Sequence, residues 1–189
     1  ENTAGVIVQS PNFFGCIEDL SAIEKIVHEK KSVFVVAVTE MLSLGLLKSP
    51  GEFNADIVVS DGQSFGIPTS FGGPHVGVLA TKMEYVRHLP GRIVGLTTDT
   101  RNQAGFIMTL QAREQHIRRE KSTSSICTNQ ALCALAATIH LSLLGKTGLK
   151  ELSEFNHKRA AYLFEKLQEI SGVEVAFKQS FFNEFTIKV

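Results

Sequence analysis

The chain has 189 residues, 43% hydrophobic and 20% charged, with 19 Lys+Arg against 19 Asp+Glu. That balance is ordinary for a globular protein, and the zero net charge argues against nucleic acid or an anionic membrane as the main partner. Three cysteines without Cys-x-x-Cys spacing fit a reduced, cytoplasmic protein better than a disulfide scaffold; no signal peptide opens the chain, and no apolar run reaches membrane-span length. Both ends read as cut, which predicts a piece of a longer chain that exposes apolar surface and self-associates.

Gly5–Gln9 is apolar and short, and predicts a buried strand. The loop that follows holds Phe13 and Phe14, which should pack on a neighbour. Ile17–Lys30 places Ile17, Leu20, Ile23 and Val27 on one helical face, with acidic residues in the first turn. Val33–Val38 is a continuous β-branched run, expected as a strand buried on both faces. Ala55–Val59 and Val76–Ala80 predict two more strands, and Lys82–His88 a short helix. After the Pro90-Gly91 turn, Ile93–Leu96 reads as extended and Phe106–Lys121 as a polar helix.

The Ser122–Ser125 hydroxyls can cap the next helix, Ile126–Leu144. That helix is apolar on most sides, so it is expected to be buried or to lie between domains, and it ends at Gly145. Leu149–Ile170 predicts a long amphipathic helix, followed by two short strands, Val173–Phe177 and Phe185–Val189. Strand, helix, strand, strand, loop, strand is the pattern of a largely parallel α/β sheet. The expected division is a large domain over 1–145 and the start of a smaller α+β domain over 146–189.

The chemistry-bearing stretch is the loop Ser60–His75, rich in Gly, Pro and hydroxyls between two strands. Gly72-Gly73-Pro74 could cradle a phosphate, or could be a tight strand connection. It is neither a dinucleotide fingerprint nor a P-loop. In the Gln111–Arg119 stretch, Gln111, Gln115 and Arg118 share a helical face and Glu114 pairs with Arg118 at i, i+4. His116-Ile117-Arg118-Arg119 could bind a carboxylate or phosphate, or could be a solvated helix. The six histidines show no ligand spacing, so no metal site is expected. His140 sits in the apolar helix and reads as a satisfied core or interface histidine.

Asp61-Gly62-Gln63-Ser64-Phe65-Gly66-Ile67-Pro68, Phe71-Gly72-Gly73-Pro74-His75, Pro90–Gly95 and the long run Leu110–Leu132 together resemble the glycine decarboxylase P-protein family over nearly all of Gly5–Gly145. The half resembled is the N-terminal one, called subunit 1 where the protein is split. The resemblance implies the aspartate-aminotransferase type of pyridoxal-phosphate fold. It also implies a glycine-decarboxylating reaction whose aminomethyl product passes to the lipoyl arm of H-protein, and a cytoplasmic complex with subunit 2, expected as a heterotetramer.

The catalytic half of that family carries His-Lys-Thr-Phe-x-Ile-Pro, whose lysine holds the cofactor as a Schiff base. Alignment on Phe65-x-Ile67-Pro68 puts Gln63 at the lysine. A carboxamide nitrogen is not nucleophilic and cannot form that bond. Glu40 is the nearest acid for a pyridinium partner after Val33–Val38. The resemblance therefore implies a partner subunit without catalytic residues of its own, with the cofactor held by subunit 2. Candidate contributors to the partner's active site or to the interface are Gln63, Gly72, Gly73, His75, Gln115, His116, Arg118, Arg119 and Ser122. The rival readings are an autonomous pyridoxal-phosphate enzyme using Lys82 or Lys121, and a purely structural or regulatory binding subunit.

Overall fold

The computed structural model describes residues 2–110, 115–122 and 130–189. The chain divides into two compact units, Glu1–Ala80 with Gln130–Val189, and Thr81–Asn129. In the first unit, β1 (Gly5–Gln9), β2 (Val33–Val38), β3 (Ile57–Asp61) and β4 (Gly77–Thr81) form one sheet in that order. β1–β2 and β2–β3 are parallel, with Val6 opposite Phe34 and Val36 opposite Val58. β1 is therefore an edge strand with Ile7 exposed, not the buried strand expected. Its apolar run could not distinguish an edge from a centre.

β2 is central, and Phe34, Val36 and Val38 are fully buried against Leu20 and Val27 of α1 (Leu20–Glu29) and against Ala55. The alternate residues Val33, Val35 and Ala37 are only half-buried, so the two faces are not equally covered as expected. α1 begins three residues later than its apolar spacing suggests, because Asp19 is the N-cap and accepts the Ala22 N–H at 3.0 Å. The acidic residues expected in its first turn lie before the helix, and so does Ile17, whose N–H donates to Ser180 O.

His28 ties three elements together. Its Nδ1 meets Glu24 Oε1 at 2.7 Å and its Nε2 meets Asp56 Oδ2 at 2.9 Å, while the buried Asp56 also accepts the Phe34 N–H at 2.7 Å. The Asp56 hydrogen bond first, then that of Glu24, raises the His28 pKa above its ordinary 6.5. Stability from this contact is fully present below the unfolded pKa and is lost as pH rises through the higher folded one. The stability advantage of the wild type over His28→Gln should thus shrink as urea melts move from pH 6 into the alkaline range. An advantage that grows with pH would contradict the assigned charge state.

α3 (Ala131–Gln168) is assigned as one helix, but Gly145 has φ 61° and ψ −174°, which separates an apolar first half from a polar second half. This matches the two helices expected, with the break at the expected glycine. The second half seats on the 3₁₀ turn Met41–Gly45, where the buried Ser153 hydroxyl donates to Leu42 O at 2.7 Å. A Cβ on Gly45 would lie 2.0 Å from Ser153 Oγ, so only glycine allows this approach. β7 (Glu174–Val175) and β8 (Ile187–Lys188) form a short antiparallel pair, and Phe164, Phe181 and Phe185 cluster beside it. Phe14 packs on Phe177 with ring centroids 5.0 Å apart, whereas Phe13 stays exposed, so the expected packing of that pair holds for one ring.

In the second unit, β5 (Ile93–Thr98) pairs antiparallel with β6 (Ala104–Thr109). Residues from Phe106 were expected to be helical; instead Phe106–Thr109 are strand, while α2 is described over Gln115–Arg118, followed by a 3₁₀ turn at Arg119–Lys121. The connection explains the difference. Asp99 Oδ1 accepts from the Arg101 and Gln103 N–H groups and Asn102 takes φ 61°, which folds the chain into a hairpin. The Lys82–His88 helix is a 3₁₀ helix, Met83–His88. The expected Gln111 and Glu114 contacts and the Thr123–Ser125 cap lie outside the described residues.

Candidate functional site

The loop leaves β3 at Asp61, and one carboxylate shapes both of its ends. Asp61 Oδ1 accepts the Gln63 N–H at 2.9 Å, and Asp61 Oδ2 meets His75 Nδ1 at 2.5 Å. The Gly62 N–H donates to Val76 O at 2.8 Å, and those of Phe65 and Ile67 donate to Gly62 O and Gln63 O. Phe65, Ile67 and Val76 are buried with Ala137 of α3, with Cys133, Leu141, Leu149 and Met41 packed around them. The apolar side chains thus anchor the loop to α3, while Gln63 is half-buried and His75 exposed.

Ser70, Phe71, Gly72 and Gly73 all have positive φ, and the Gly72 and Gly73 N–H groups both donate to Thr69 O, at 2.9 and 3.1 Å. Those donors are used within the turn. The phosphate-cradle alternative is therefore not supported, and the glycines serve the sharp strand connection instead. Gly66 has φ +81°, and a Cβ there would lie 2.8 Å from the Cβ and Cγ of His140. His140 was expected to be satisfied, yet among the described residues its Nε2 is buried without a hydrogen-bond partner, as is Ser64 Oγ.

The structure brings Gln63, Gly72, Gly73 and His75 into one loop of the first unit. Gln115, His116 and Arg118 lie on α2 of the second unit, with Arg119 and Ser122 just after it. Sequence reasoning missed Asp61, although Asp before Gly-x is a turn signature. It also missed a cavity of about 620 Å³ lined by Gln9, Phe13, Phe14, Thr39, Glu184 and Thr186 among others, beyond the carboxyl ends of β1 and β2. Parallel sheets commonly bind ligands at that end.

The loop does not fit covalent attachment of a pyridoxal cofactor. Gln63 supplies a carboxamide, and no lysine occurs from Asp61 to Thr81. Glu40, the acid considered for the pyridine nitrogen, accepts the Leu42 N–H at 2.9 Å and caps the 3₁₀ turn. Among the described residues no three His, Cys, Asp or Glu side chains gather as a metal site.

Comparison with known proteins shows the family and the fold. Residues 1–189 match the glycine cleavage system P-protein family throughout. The chain is 57% identical over 189 residues to a probable glycine dehydrogenase (decarboxylating) subunit 1 of Geobacillus thermodenitrificans, covering 100% of this chain and 42% of that protein. It is 48% identical to a crystal structure of glycine decarboxylase (P-protein) of the glycine cleavage system in inhibitor-bound form, with a TM-score of 0.93 over 97% of this chain and 42% of that one. A more distant likeness, to a Lactobacillus brevis glutamate decarboxylase, has a TM-score of 0.61 at 17% identity over 90% of this chain and 37% of that one. The α/β fold class expected from the sequence, that of pyridoxal-phosphate-dependent transferases, is the one found. The chain spans about two fifths of the length of the relatives it matches, and it belongs to the glycine cleavage system P-protein family.

Proposed function

We propose that this chain is part of subunit 1 of a cytoplasmic glycine decarboxylase, and that it shapes the active site of a partner subunit without forming a covalent bond to the cofactor. The observation that carries this reading is whole-chain identity of 57% to a relative named subunit 1, combined with Gln63 where the lysine-bearing half has its lysine. Pyridoxal phosphate supplies the electron sink for loss of carbon dioxide and is held by subunit 2. The aminomethyl product passes to the lipoyl arm of H-protein. The division at 145/146 into a large and a small domain remains part of this reading.

Within it, the task of this chain is positional. Asp61 fixes the backbone at Gln63 and the ring of His75, and α3 backs the loop with apolar contacts. Gln63, Gly72, Gly73 and His75 are what the first unit offers to the partner, and Gln115, His116, Arg118, Arg119 and Ser122 are what the second unit offers. The test is decarboxylation of glycine by the full-length subunits, separately and combined. Activity should require both subunits, and Gln63→Ala or Arg118→Ala in subunit 1 should lower it by about tenfold through lost positioning. Activity of subunit 1 alone would favour the autonomous reading through Lys82 or Lys121. Unchanged activity in both variants would favour a purely structural subunit.

A further inference from the structure

Asp61 divides its carboxylate between two neighbours. Oδ1 accepts the Gln63 N–H at 2.9 Å, and Oδ2 meets His75 Nδ1 at 2.5 Å. The sheet sets up both contacts. Asp61 is the last residue of β3, and His75 lies just before Gly77, the first residue of the neighbouring strand β4. Between them the Gly62 N–H donates to Val76 O at 2.8 Å. A Cβ on Gly62 would lie 2.9 Å from Val76 Cγ1, so the bare glycine allows that approach. The two side chains are thereby brought together across the strand ends, at the carboxyl end of β3, where parallel sheets commonly bind ligands.

A carboxylate accepts hydrogen bonds and does not donate them, so the hydrogen in the Asp61–His75 contact sits on Nδ1. In the neutral ring the lone pair is then on Nε2. A free imidazole side chain in water favours the opposite tautomer, so the one found here is imposed by Asp61. Nε2 makes no hydrogen bond among the described residues, and the side chain is 45% exposed. His75 differs in this from the histidines that serve packing. Both nitrogens of His28 meet carboxylates, and His157 turns Nδ1 to Phe182 O while its ring stacks on Phe182. We infer that Asp61 is a positioning residue for the reaction proposed above: it sets the tautomer of His75 and leaves Nε2 as a hydrogen-bond acceptor on the loop that carries Gln63. The group such an acceptor recognises has an N–H or O–H to give, as an amine does and a carboxylate does not. One side chain thus couples the backbone at Gln63 to the hydrogen-bonding character of His75.

The inference rests on the two-subunit reading above, and the test separates the two. Full-length subunit 1 with isotope-labelled histidine is studied by proton–nitrogen correlation NMR, as wild type and as Asp61→Asn, with His75→Asn to assign the ring. The neutral wild-type ring should carry its hydrogen on Nδ1 and leave Nε2 bare. Asparagine keeps an oxygen for the Gln63 N–H but turns an amide N–H toward Nδ1, which moves the ring hydrogen to Nε2. Asp61→Asn should therefore melt close to the wild type. With subunit 2 it should nevertheless lose about tenfold in kcat/KM for glycine decarboxylation, the scale of one hydrogen bond. His75→Asn keeps the donor to Asp61 but lacks Nε2; it should lose as much, and the double variant no more than either. An Nε2–H tautomer in the wild type overturns the assignment, as does a tautomer that Asp61→Asn leaves unchanged. The wild-type spectrum decides this even where a variant fails to fold. Undiminished kcat/KM in Asp61→Asn overturns the role and reduces the pair to a tie between strand ends, whatever part of the full-length chain lies over it. No decarboxylation by the two wild-type subunits together overturns the function proposed above and the catalytic role with it, while the tautomer is still read from subunit 1 alone.

Discussion

Phe34→Ala should lower the free energy of unfolding by about 3–5 kcal/mol. Phe34 has no exposed surface and sits in the middle of the central strand, packed with Leu20, Val27, Val36 and Val38. Its ring also meets that of His28 edge-on, with centroids 6.3 Å apart. Truncation removes the buried ring and leaves a cavity that paired strands on either side cannot close by moving inward. The backbone hydrogen bond from Phe34 N–H to Asp56 survives, so the loss reports packing alone. Native stabilities are commonly about 5–15 kcal/mol, so the variant should unfold at a far lower urea midpoint or fail to accumulate. A shift below about 1 kcal/mol would show that β2 is not the centre of this core.

The second large effect is expected at Gly66→Ala. Two costs combine there. The backbone has φ +81°, where an L side chain costs roughly 1–2 kcal/mol. The new methyl would also lie 2.8–2.9 Å from His140 Cβ, Cγ and Nδ1, and overpacking of that kind costs about 1–3 kcal/mol. The sum is about 2–5 kcal/mol, read from urea melts. The double variant with His140→Gly, which removes the Cβ, Cγ and Nδ1 alike, should recover the steric share and keep the backbone share, giving a favourable coupling of about 1–3 kcal/mol. Strictly additive losses would mean that the loop and α3 do not touch at this point. On the function proposed above, the same substitution should also reduce glycine decarboxylation, because Gly66 lies three residues from Gln63 in the segment that α3 supports.

Features set by local chemistry were legible before any coordinates. Val33–Val38 read as a strand from its β-branched run, and Gly145 as a helix end from its freedom at positive φ. The motif around Gln63 named the family and the fold. Features set by distant partners were not. Phe106–Thr109 became a strand because Asp99 and Asn102 closed a hairpin onto β5, a turn signal overlooked beside the polar residues downstream. Nothing local distinguished β1 as an edge, and the apolar first half of α3 gave no sign of which face the chain would leave bare. Asp61 was passed over for Gln63, although its two carboxylate oxygens hold both ends of the loop. Ser64 and His140 are polar groups brought into the core by packing between elements, which periodicity cannot report.

The central claim is that this chain keeps the fold of a pyridoxal-phosphate enzyme while Gln63 leaves its loop unable to hold the cofactor covalently. The most direct measurement is borohydride reduction of the full-length two-subunit enzyme in the presence of pyridoxal phosphate, followed by peptide mass spectrometry of each subunit. The reduced cofactor should appear on a lysine of subunit 2, with no modified peptide from this chain. A stoichiometric adduct on Lys82, Lys121 or any other lysine of this chain would contradict the claim.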